Sequence, residues 1–182
     1  MDWNQRQALL RLARETIQAC LTSLPLPALP EIAIDAADFG GAFVTLKNAG
    51  RLRGCIGRFN PDTTLPETVQ QMALSALDDP RFRDMPVTAD ELAQITIEIS
   101  VLSPMERTDD PLSLELGVHG IHIRKGLRSG CFLPQVAPEQ RWNTQQFLSR
   151  CCAGKAGLPP DAWKDPDTEV YLFTAEVFSE EH

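Results

Sequence analysis

A chain of 182 residues is long enough for one substantial core, or for one domain with a small appended lobe. Its 43% apolar and 23% charged residues fit a soluble globular protein, while a net charge of −8 argues against a general nucleic-acid or anionic-membrane surface. No apolar run reaches the ~18 residues of a membrane-spanning helix, no basic-then-apolar leader opens the chain, and the five cysteines have no framework spacing, so a reduced, cytoplasmic protein is expected.

Apolar residues at Leu9, Leu10, Ala13, Ile17, Cys20, Leu21 and Leu24 share one helical face, which predicts a helix over about residues 3–23. Pro25, Pro27 and Pro30 end it, so residues 1–30 read as an N-terminal helix followed by a proline-rich strap. A hairpin is expected next, with strands over about 42–47 and 51–57 and a three-residue loop, Asn48-Ala49-Gly50. Thr64 and Glu67 match a capping box at the head of a helix that runs to about Leu77, and Asp78-Asp79-Pro80 stops it. Thr88 and Glu91 repeat that pattern before a short helix or turn. A smaller lobe is expected within residues 60–95, inside a single domain that spans 1–182.

Residues 95–101 alternate most clearly of all and form a strand. Beyond Pro104 the chain turns polar, with Asp109-Asp110-Pro111 as a turn. A second hairpin is expected from Val118–Ile123 across 124–130 into Cys131-Phe132-Leu133, then one helix over about 138–154. A last strand covers Glu169–Phe178, and His182 ends the chain in an expected disordered terminus. Strands and helices intermingle without a βαβα rhythm. The class is therefore α+β, with a mixed, mostly antiparallel sheet flanked by helices.

The chemistry concentrates in Leu52-Arg53-Gly54-Cys55-Ile56-Gly57. Alternation along a strand sets Arg51, Arg53 and Cys55 on one side and Leu52 and Ile56 on the other, where a core would lie. A cationic neighbourhood favours the thiolate, which makes Cys55 a candidate nucleophile. The bland alternative is a small buried hydrophobe, the usual role of a free cysteine. Gly54 and Gly57 mark a bulge or a close backbone approach. Arg81 could clamp a carboxylate or phosphate, and pairing with Asp78, Asp79 or Asp84 is at least as natural.

His119 and His122 stand three apart on a strand, so their rings face opposite ways and a shared metal is not expected. His119 alone is the candidate base. Gln135, in Leu133-Pro134-Gln135-Val136, would either line a pocket or cap the next helix. No serine triad order and no glycine-rich or lysine phosphate loop occurs, and no cofactor is implied.

These motifs resemble the AMMECR family, whose bacterial and archaeal members are called AmmeMemoRadiSam system protein A. The resemblance rests on residues 52–57, on Asp79-Pro80-Arg81-Phe82, on Ile99–Pro104 and on Gly117-Val118-His119-Gly120-Ile121. It continues through Leu133–Val136, Trp142, Phe147-Leu148, Lys155–Leu158 and Trp163. It implies two unequal lobes with a cleft beside the signature, and a pathway shared with a Memo-like protein and a radical S-adenosylmethionine enzyme. The family's reaction is not established. The expected function is a cytosolic enzyme or enzyme-pathway component with Cys55 and His119 as catalytic residues. Arg53, Gly54, Gly57, Arg81 and Gln135 would bind a small anionic substrate. The alternative is a non-catalytic adaptor for protein or RNA in transcription, translation or RNA metabolism.

Overall fold

Asp2 opens the first helix, α1 (Trp3–Thr22), through a reciprocal capping box with Gln5 that the sequence reading did not include. The computed structural model describes residues 1–180, and His182 lies outside them. Two compact units emerge: Met1–Leu102 together with the C-terminal residues from Glu176, and the smaller Ser103–Ala175. Residues 60–95 belong to the larger unit, where their helix packs on its sheet.

The larger unit contains β1 (Gly41–Asn48), β2 (Arg51–Phe59), α2 (Leu65–Leu77), β3 (Ile95–Leu102) and β8 (Ala175–Ser179). Its sheet has the order β2-β1-β3-β8, with β1 antiparallel to both neighbours. Leu9, Ala13 and Ile17 of α1 and Val69, Ala73 and Ala76 of α2 meet Val44, Leu46, Ile97 and Ile99 in one core. The hairpin turn is Ala49-Gly50 alone, because Asn48 pairs with Arg51. Both turn residues have positive φ (46° and 77°), the tight geometry that follows strand twist.

Neither threonine capping box closes through its threonine. Thr64 and Thr88 make no side-chain cap bond. Glu91 reaches back to the Thr88 amide but gives its carboxylate mainly to Arg53, a stronger charge-assisted partner.

The smaller unit contains β4 (Glu106–Thr108), β5 (Gly120–Lys125), β6 (Arg128–Phe132), α3 (Val136–Gln140), α4 (Thr144–Gly154) and β7 (Glu169–Phe173). Its antiparallel sheet runs β4-β7-β5-β6. Ile121, Ile123 and Val170 pack there against Phe147, Leu148, Cys151 and Cys152. Three expectations change here, besides the single sheet becoming two. The helix over 138–154 is broken at Arg141, whose φ is +55°, and Asn143 recaps α4 with Gln146. The strand over 169–178 divides at Thr174, and its halves join different sheets. The second hairpin turns at Gly126-Leu127, which shifts its first strand to Gly120–Lys125 and lengthens its second. Strand β4 escaped notice because three polar residues carry no alternation signal.

Candidate functional site

Strand β2 is the edge of its sheet, so half of its backbone groups would lack a partner. Asp79 and Arg81 supply one at Cys55. The Cys55 amide donates to Asp79 Oδ2 (2.9 Å), and the Cys55 carbonyl accepts from Arg81 Nη2 (3.0 Å). The Asp79 carboxylate also accepts from the Arg81 amide (3.0 Å), Nε (3.0 Å) and Nη2 (2.6 Å). Its side chain is 1% exposed, and the Arg81 hydrogen bond above all holds its carboxyl well below the usual range. The pair imitates a neighbouring strand for one residue. Arg81 stays positive, chiefly through Asp79 and with a smaller contribution from the Cys55 sulfur. Its Nη1 has no partner among the described residues.

Register fixes the direction of the thiol. Cys55 lies opposite Thr45, whereas Ile56 lies opposite the buried Val44. Cys55 therefore occupies the sheet face away from α1 and α2. There the Thr45 hydroxyl donates to Cys55 Sγ at 3.2 Å, and the sulfur is half-buried. Alternation fails one step earlier. Leu46 faces Gly54 and Lys47 faces Leu52, so Arg53 is the extra residue of a bulge. Leu52, expected on the core side, is 38% exposed for that reason.

Arg53 reaches Glu91 through Nε (2.6 Å) and Nη2 (2.8 Å), and donates to the Met85 carbonyl at 3.0 Å. Glu91 also receives Asn48 Nδ2 (2.9 Å), and its carboxyl is lowered to about 2, with the Arg53 hydrogen bond as the largest cause. A carboxyl depressed on folding stabilises the protein above its unfolded value, and that stability fades as pH falls through the folded one. Between pH 4.5 and about 2, urea midpoints are expected to drop by the equivalent of roughly 2–3 kcal/mol through Glu91. Glu91→Gln should flatten that limb. An unchanged limb would show that the pair contributes nothing there.

Gly54 and Gly57 are placed by packing. A Cβ on Gly54 would stand 2.1 Å from the Ala76 carbonyl oxygen of α2, and one on Gly57 would meet the Phe43 ring at 2.1 Å. His119 and Gln135 belong to the smaller unit, so the predicted site residues divide between two units. His119 Nδ1 accepts the Glu115 amide at 3.0 Å, which puts the proton of the neutral ring on Nε2 and makes that nitrogen a donor in that form. Gln135 sits at the head of α3 without a side-chain cap bond. Of the other cysteines, Cys20 is exposed and Cys151 and Cys152 are buried, while burial pushes half-buried Cys131 up to about 11.

Sequence reasoning passed over Thr45, Asp79 and Glu91 as site residues. Thr45 was readable once the hairpin register was known, whereas the Asp79 and Glu91 contacts span 24 and 38 residues. Among the described residues, no group of three or more His, Cys, Asp or Glu could hold a metal ion, and no helix is long and apolar enough to cross a membrane.

Residues 10–178 match the AMMECR1 family model. Protein TK0174 of Thermococcus kodakarensis is 41% identical over all of this chain and 92% of its own length. Protein MK0488 of Methanopyrus kandleri is 44% identical over 95% of this chain and 87% of its own. The crystal structure of the uncharacterized protein PH0010 from Pyrococcus horikoshii superposes with a TM-score of 0.82 at 39% identity, covering 96% of this chain and 90% of that one.

Proposed function

We infer, from the premise that this chain belongs to the AMMECR1 family, that it is an enzyme or enzyme-pathway component whose reactive group is the Cys55 thiol. One observation carries the reading: the sulfur receives the Thr45 hydroxyl at 3.2 Å while a guanidinium is held at its own carbonyl. The hydroxyl orients the sulfur, and the guanidinium places a positive charge at the same residue of the strand. The free Nη1 of Arg81 offers a contact for a small anionic substrate. Arg53, Gly54 and Gly57 serve by shaping the strand, while His119 and Gln135 belong to the other unit and take no part in the reaction of the thiol. On this reading the protein acts in the cytosol, in one pathway with a Memo-like protein and a radical S-adenosylmethionine enzyme.

Alkylation by iodoacetamide at pH 7, read by peptide mass spectrometry, tests the thiol. Half-buried Cys55 is expected to react faster than exposed Cys20, and Thr45→Val should slow Cys55 alone. A Cys55 rate below that of Cys20 would overturn the nucleophile. A second reading has its own observation: Arg53 and Arg81 are both bound to carboxylates that staple the chain to β2. That arrangement favours a signature serving the fold, in a non-catalytic adaptor for protein or RNA. Capture of partners by Cys55→Ser at wild-type level, with pathway activity also intact, would support it.

A further inference from the structure

A cavity of about 380 Å³ opens in the smaller unit, lined by Ser103, Pro104, Glu106, His119, Leu172 and Thr174 among others. Its size suits a small molecule. Several of its polar groups are already bonded. Ser103 Oγ donates to the Pro104 carbonyl and accepts the Thr174 amide, while Thr108 Oγ1 is engaged with both polar groups of the Asp110 backbone. Arg107 also lines the cavity, but it pairs across from Tyr171 and its Nη1 stands 3.8 Å from Glu169.

Beside Arg107, whose partner is Glu169, three groups of the lining make no bond among the described residues: the Glu106 carboxylate, His119 Nε2 and the Thr174 hydroxyl. Register places them around one floor. Glu106 stands opposite Leu172 on the neighbouring strand, and Gly120 opposite Phe173, so the preceding His119 falls beside Thr174. Glu106 and His119 thus flank Leu172 and Thr174 from the strands on either side, where two inter-strand spacings and a two-residue offset set their backbones roughly 12 Å apart. The Glu115 amide on Nδ1 makes Nε2 of the neutral ring a donor. One wall accepts and carries negative charge, and the other donates.

We propose that this cavity binds a small zwitterion, with its ammonium on Glu106, its carboxylate on His119 Nε2–H and its carbon chain on Leu172 and Pro104. Allowing a hydrogen bond of ~2.8 Å at each end of that separation leaves roughly 6 Å between the ligand's charged groups, the span of an extended γ-amino acid. The site is independent of Cys55.

NMR of the histidine Cε1–H signals tests it, with glycine, β-alanine and γ-aminobutyrate as probes and butyrate and n-butylamine as single-charge controls. At least one amino acid is expected to shift the His119 signal saturably, and to bind ten-fold or more tightly than either control. Glu106→Gln should weaken that amino acid ten-fold and leave butyrate unchanged. No saturable shift with any amino acid overturns the proposal. So does butyrate binding as tightly as γ-aminobutyrate, which would mark an anion site without Glu106. The probe series on the unaltered chain decides the matter even if the variant folds poorly.

Discussion

Gly54→Ala is expected to destabilise the protein by about 3–4 kcal/mol, a large part of the stability of an ordinary domain. The new methyl would lie 2.1 Å from the Ala76 carbonyl oxygen and 3.1 Å from its carbon. These are backbone atoms in the last turn of α2, so no side-chain rotation relieves the contact. Helix α2 would have to lift by about an ångström to restore an ordinary contact, loosening Val69, Ala73 and Ala76 against β1. Gly50→Ala separates this effect from loss of glycine as such. Gly50 has φ +77° with nothing within 4 Å of its Cβ position, so only backbone strain of about 1 kcal/mol is expected. Urea unfolding of both variants, with unchanged m, checks the difference. Equal losses would remove the helix contact as the reason for glycine in the signature.

Arg81→Ala carries the second large effect, about 3 kcal/mol at pH 7, because it leaves the Asp79 carboxylate buried without its cation. The dependence on pH identifies the cause. In the wild type, Arg81 holds the Asp79 carboxyl low, so its stabilising contribution persists until pH falls well below 4. In the variant, burial without the cation raises that carboxyl above its unfolded value, so protonation stabilises the fold as pH falls. The gap between the two proteins is therefore expected to narrow below about pH 6. Urea midpoints at pH 7, 6, 5 and 4 measure it, and a gap that stays constant would show that Asp79 is not the group left exposed to the change. The same variant should slow alkylation of Cys55, since the edge clamp and the nearby cation go together.

Much of the larger unit was legible because its signals are local. The stripe of α1, the alternation of β1 and β3, and the apolar face of α2 follow from period alone. The breaks were not legible. Arg141 takes a left-handed conformation without a glycine to announce it, and the bulge at Arg53 shows only in the pairing with β1. Thr88 and Glu91 illustrate a local pattern overridden: the spacing of a capping box is present, but a guanidinium 38 residues away takes the carboxylate.

By itself the sequence determined the α+β class, the main helices and strands, the position of the thiol on a strand and the family to which the chain is similar. These depend on residue order and spacing, which a linear reading contains. Tertiary structure alone decided that β2 is an edge strand, that Asp79 and Arg81 close that edge, that Thr45 meets the sulfur and that Glu106 and His119 flank one cavity. Those relations join residues far apart along the chain. Their geometry comes from strand order and register, which no local pattern encodes.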